Sequence, residues 1–270
     1  MKIELENVTV TSWSRQPLLR LSAHDRRKLA KAIRFSREIV ADSIDLLSKY
    51  ETAKIVAAAD ARMATDYFGT HDIVREALAK YFGLALGAPG APRVFGPNLP
   101  GAMPVMAVSA DEAKVASILA KFKLINAGIK GKFDIVVGGI HDADDIKTGL
   151  KDALRDPRHA WRHLKFITTG TEGWVNPSGK LQRIHLNTDA VKNYSEGKIA
   201  RVIVHEASHK FADTDDVSLL GDGSDDGTGY KWDDLKFNQK NYVGLDNNAD
   251  SYAWGGRLMW KRKRRHPAGI

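Results

Sequence analysis

The sequence predicts an α+β fold, mainly helical with a small mixed sheet. Three observations carry that reading. Long stretches repeat apolar residues at the helical period and open on capping signals, while only a few short runs have strand character. A stretch rich in glycine and proline, from Gly87 to Pro104, separates a mainly helical first part from a mixed remainder. An apolar run, Ile199-Ala200-Arg201-Val202-Ile203-Val204, leads straight into His205-Glu206-Ala207-Ser208-His209.

Residues 3–12 alternate enough for a short strand. Ser22 with Asp25 forms a capping-box start, and a long helix is expected to run to about Tyr50. Further helices fit residues 52–67 and 72–82. Ser109 and Glu112 open another capped helix, with Val115, Ile118, Leu119 and Phe122 on one face. Strands are expected at 133–137, 164–168 and 182–186, then helices at about 198–211 and 246–262. Gly138-Gly139 closes the first of these strands, since no phosphate-binding glycine pattern surrounds it. There are no repeats. The expected organisation is a helical lobe over residues 1–104, ending in the Gly/Pro-rich linker, and a second domain over 105–270.

The chain has 270 residues, 43% of them hydrophobic, enough for one large or two small domains. Its formal charge of +8 is modest for this length and gives no expectation of a nucleic-acid partner. Lys261-Arg262-Lys263-Arg264-Arg265 reads as a helix C-terminus, where cations complement the macrodipole. With no cysteine, thiol nucleophiles, thiolate metal sites and disulfides are excluded. No apolar stretch spans a membrane. The residues after Met1 lack a signal-peptide core, so a cytoplasmic location or a leaderless export route is expected.

His205 and His209 are four residues apart, which places both imidazoles on one side of a helix, within reach of one metal ion. Ile199, Val202, Ile203 and Glu206 fall on the same continuous arc. A half-buried helix that offers two histidines in this way fits a tetrahedral Zn2+ site. Glu206 follows the first ligand and is placed to act as a general base on a zinc-activated water. A third ligand is expected from Phe211-Ala212-Asp213-Thr214-Asp215-Asp216. Asp213 would stand about 12 Å along the axis from His205 if the helix continued, too far for one ion. The chain is therefore expected to turn back after His209 and deliver an aspartate from a loop.

These residues resemble a known family. HEASH, then Thr214-Asp215-Asp216, then Asn247-Asn248-Ala249-Asp250-Ser251-Tyr252 is similar to the aspzincins, the deuterolysin and peptidyl-Lys metalloendopeptidase group. Their pattern is HExxH followed by GTxDxxYG, with a later NADSY-like segment on a helix near the substrate. The resemblance implies a zincin-like fold with an HExxH active-site helix, Asp216 as third ligand, and substrate contacts from Asp250 and Tyr252. It is specific from about Arg201 to Trp254.

Three positions depart from the pattern. Asp213 replaces its first glycine. Leu219 and Leu220 replace its tyrosine and last glycine, so the oxyanion loses its donor; Tyr230 is the first substitute, ahead of Tyr252 and His185. In lysine-specific members a glutamate partners the aspartate matched by Asp250, but here that position is Ala253, which puts strict lysine selection in doubt. The alternative role for Asp250 is to brace the site by hydrogen bonds.

Asp222-Gly223-Ser224-Asp225-Asp226-Gly227 with Asp233 has the spacing of a calcium loop but poor flanks, and reads first as a solvated acidic loop. His141, His159 and His163 form no comparable metal motif. The expected function is thus a zinc-dependent endopeptidase acting on a protein or peptide substrate. The alternatives are a delivered bacterial effector with one narrow protein target and a zinc-binding protein that does not catalyse. The oligomeric state is not encoded in any recognisable signal.

Overall fold

The structure, a computed structural model, describes residues 2–12, 21–59, 68–84, 110–138, 172–175, 183–216 and 245–265. Among them are six α-helices and a five-stranded mixed sheet. The expected linker to Pro104 and the expected strand at 164–168 lie outside the described residues. The chain divides into two compact units, each made of two segments: residues 1–38 with 124–214, and residues 39–123 with 215–270.

The first unit holds the whole sheet. Strands β1 (Lys2–Leu5) and β2 (Val8–Ser12) form an antiparallel hairpin. Its two turn residues, Glu6 and Asn7, both have positive φ, at 53° and 62°. That turn type has the twist that matches paired strands. Strand β2 runs parallel to β3 (Phe133–Gly138), and β3 runs parallel to β5 (Ile184–Asn187). Strand β4 (Gly173–Val175) joins β5 antiparallel, giving the order β1-β2-β3-β5-β4. The register aligns Val8, Val10, Phe133, Ile135, Val137, Ile184 and Leu186 on one buried face. The strand expected at 182–186 is β5, which is interior and paired on both sides, with the three-residue β4 beyond it.

Helix α1 (Ala23–Ala59) starts as its capping box predicts. The Asp25 amide donates to Ser22 Oγ at 3.1 Å, and the Ser22 amide donates to Asp25 Oδ2 at 3.0 Å. The helix does not stop at Tyr50, because Glu51-Thr52-Ala53 contains no breaker, and the next expected helix is in part its continuation. Helix α2 follows (Phe68–Phe82), then α3 (Ala110–Lys130). The division into units falls within α1 and α3. In the first unit, Arg37 Nε donates to the Ile129 carbonyl at 2.9 Å, tying the two helices together.

Asn187 ends β5 and caps the short helix α4 (Thr188–Asn193), its side chain accepting from the Asp189 amide. Helix α5 (Glu196–Ala212) carries the HExxH residues. Its arc Ile199, Val202, Ile203 is buried, and Phe211 packs edge-on against Phe133 at 6.3 Å. Each such fully buried side chain contributes roughly 1.5–3 kcal/mol.

In the second unit, α2 packs on helix α6 (Ala249–Arg265), which follows a 3-10 turn at Leu245–Asn247. Tyr252 sits between Phe82 and Phe122, with ring centroids at 5.2 and 5.1 Å. Gly255 lets Phe82 come close; a methyl group there would lie 2.7 Å from the Phe82 ring. The basic end of α6 is largely paired. Lys263 Nζ donates to Asp42 and Asp45 at 2.8 Å, and Arg262 reaches Glu76 at 2.9 Å.

Candidate metal centre

Helix α5 is held on the sheet by its apolar arc, and this fixes what its polar residues can do. His205 and Glu206 are buried, and His209 is half-buried at the margin. The Nε2 atoms of the two histidines stand 3.2 Å apart, their rings nearly perpendicular at 83°. Glu206 Oε1 lies 4.0 Å from His205 Nε2. One ligand atom from each of the three residues lies within 4.8 Å of the others. Among the described residues no other set of three acidic or imidazole groups gathers in this way.

The end of the helix sets which nitrogen of the His209 ring carries a proton. Asp213 adopts the left-handed conformation at φ 50°, ψ 47°, and its amide donates to the Ser208 carbonyl. This is the chain reversal expected after His209, and it removes Asp213 from the helix. Glycine adopts this conformation freely and aspartate tolerates it. The reversal brings the Thr214 carbonyl to 2.6 Å from His209 Nδ1. A carbonyl only accepts, so Nδ1 carries a proton, and in the neutral ring Nε2 keeps its lone pair. Ser208 Oγ donates to the His205 carbonyl at 2.7 Å and lies 2.8 Å from Thr214 Oγ1, bracing the same turn.

These residues fit a metal ion by their donor chemistry and spacing. Two imidazole nitrogens bound to tetrahedral zinc at about 2.0–2.1 Å stand about 3.3 Å apart, which the observed separation matches. A backbone carbonyl on the opposite ring nitrogen is the usual outer partner of such a ligand. The donor set alone does not distinguish zinc from other ions that imidazole suits.

The floor of this site is strand β4. Gly173 packs against Val202 and Glu206. Glu172, next to it, pairs with buried Arg201, reaches Lys198 at 3.3 Å and accepts from Tyr194 Oη at 2.8 Å. Burial pushes the Glu172 pKa up, but Arg201, Tyr194 and Lys198 together outweigh it and hold the carboxyl below its usual range. Neither Glu172 nor Gly173 was expected from the sequence. A three-residue strand has no periodicity to read, and the helix residues it meets, Arg201, Val202 and Glu206, lie some thirty positions away.

The other expected site residues fall in three groups. Asp216 belongs to the second unit, and its amide donates to Asp215 Oδ1 at 2.9 Å. There Asp215 bridges to Asn248: its amide donates to the Asn247 carbonyl at 2.8 Å, and its carbonyl accepts from the Ala249 amide at 3.0 Å. Asp250 is buried in the first turn of α6. Tyr252, expected at the substrate, is a core residue of its unit. It is fully buried, and its hydroxyl donates to the Asp246 carbonyl at 2.7 Å. Ala253 is buried beside it. His185 lies on interior strand β5, where burial first, then Arg183 and Lys210, lower its pKa to about 4. Tyr230, Leu219, Leu220, the 222–233 loop and His141, His159 and His163 lie outside the described residues.

No protein-family model, no curated protein and no solved structure matches this chain. Among the described residues, no helix is long and apolar enough to cross a membrane.

Proposed function

We propose that this chain is a zinc-dependent endopeptidase with a zincin-like arrangement of helix and sheet. One observation carries the reading: on α5 the two imidazole Nε2 atoms converge to 3.2 Å, with His209 Nδ1 tied to the Thr214 carbonyl and Glu206 buried alongside. His205 and His209 would hold the ion, and Asp216 is the third ligand that the aspzincin resemblance implies. When bound, zinc polarises the scissile carbonyl and activates water as a nucleophile.

The chain's own residues do the rest. Glu206, sealed from solvent beside the imidazoles, accepts a proton from the attacking water and returns it to the nitrogen of the leaving amine. The hydroxyl oxygen ends on the new carboxyl group and both peptide halves leave whole. Thr214 and Ser208 keep the His209 ring in the tautomer that offers Nε2. An extended peptide would add to the sheet at β4, which carries no further strand on its outer side among the described residues.

The test is Glu206→Gln beside the unmodified protein, incubated with a complex mixture of unfolded peptides, with new termini read by mass spectrometry. A general base contributes about 10²–10⁴-fold, so the variant is expected to bind zinc and lose cutting by at least that factor. Equal cutting by both proteins would end this reading. No cutting by either would favour a narrow-target effector or a non-catalytic zinc protein.

A further inference from the structure

Glu206 is held by something other than its own helix. Its side chain is only 5% exposed, and a glutamate with three rotatable bonds needs a wall on every side to stay in one place. One wall is the backbone of β4. A methyl group at position 173 would lie 2.7 Å from Val202 Cγ1, 2.9 Å from Glu206 Oε1 and 3.0 Å from Glu206 Cγ. Glycine is therefore the one residue that lets the strand lie this close.

The strand is in turn anchored at the residue before. The Glu172 carbonyl accepts from the Asn187 amide at 3.0 Å, fixing β4 to the end of β5. The Glu172 carboxylate pairs with Arg201, which is buried and lies one turn before His205 on α5. One residue thus joins the strand to the sheet through its backbone and to the helix through its side chain.

We propose that Gly173 is a positioning residue for Glu206: its bare Cα is the surface against which the carboxylate rests, and the Glu172–Arg201 ion pair keeps that surface in place. The consequence for turnover rests on the peptidase reading above; the placement of Glu206 does not. Adding a methyl group at 173 displaces the carboxylate and lowers kcat, while KM and zinc affinity hold.

The test compares Gly173→Ala, Val202→Ala and the double variant, each as the full chain. The Glu206 side-chain carboxyl is followed in metal-free protein carrying 13C-labelled glutamate, its signal assigned by its loss in Glu206→Gln. The signal is expected to move in Gly173→Ala and to stay moved in the double variant, where the clash with residue 202 is relieved and folding is secured. Peptide cutting should fall about 10-fold or more in both and stay near normal in Val202→Ala. An unmoved Glu206 signal, or a double variant that cuts as well as Val202→Ala, would overturn the proposal. Arg201→Met should move the same signal and Arg201→Lys restore it; an unmoved signal in Arg201→Met would remove the ion pair from it. If the unmodified protein cuts nothing, the peptidase reading falls and the carboxyl signal still decides the positioning claim.

Discussion

Helices α5 and α6 have 17 residues each and both bury polar side chains, but they do so to opposite ends. On α6 two of the buried polar groups, Tyr252 and Ser251, close on near neighbours. Tyr252 Oη donates to the Asp246 carbonyl six residues back, and Asn248 Nδ2 donates to Ser251 Oγ at 3.1 Å. On α5 one ligand atom each from His205, Glu206 and His209 gathers within 4.8 Å of the others, and the far side of the His209 ring is tied to the Thr214 carbonyl. Buried polarity that closes locally makes a stable core. Buried polarity that gathers two imidazoles and a carboxylate at one spot marks a place for a ligand.

The sharpest way to break this contrast is to remove one converging group. His209→Ala should lower zinc affinity at least 100-fold, since even the loss of an outer partner to a ligand costs about 10–100-fold. Competition with a chelating dye reads it directly. The variant should stay folded, because His209 is half-buried at the margin of the core. Zinc affinity unchanged by His209→Ala would make α5 as self-contained as α6.

The converse change belongs on α6. Tyr252→Ala removes a ring packed on Phe82 and Phe122, and should cost about 3–5 kcal/mol of stability. Tyr252→Phe keeps the ring and loses one hydrogen bond, for about 1 kcal/mol. Urea unfolding measures both. Zinc affinity should not follow either change; a Tyr252→Phe variant with normal stability and altered cutting would return this tyrosine to the substrate, where the family resemblance places it.

These regions also differ in how far they could be read from sequence. The α5 site was legible because its signals are local: histidines four apart, a glutamate between them, an apolar arc and turn residues beyond. The capping box at Ser22 and Asp25 was legible for the same reason. The role of Tyr252 was not, because Phe82 and Phe122 are more than a hundred residues away and aromatic spacing on one helix does not reveal them. Interior placement of β5 was equally hidden, since its outer partner is three residues long. Gly173 stands at the limit: one glycine in a short strand, whose closeness to Glu206 exists only once the sheet has formed.

His185 extends the contrast to a half-buried polar group on the sheet and gives the smallest of these effects. It lies on β5 with its pKa lowered to about 4, chiefly by burial, against an ordinary value of 6.5. Between these two values the unfolded chain binds a proton that the folded chain refuses. Stability from this group is therefore complete above pH 6.5, is lost as pH falls toward 4, and changes no further below that. From pH 7 to pH 5 the loss should be about 2 kcal/mol, at roughly 1.4 kcal/mol per pH unit once the unfolded histidine is charged. Urea unfolding of metal-free protein at the two pH values, repeated with His185→Gln, isolates it, because every other group is common to both proteins and cancels in the difference. The variant should lose that much less stability than the unmodified chain on acidification. An equal loss in both would mean that His185 takes up its proton in the folded protein as well, through a partner that meets its charge, and that its place on β5 is open to the site rather than part of the sheet's closed core.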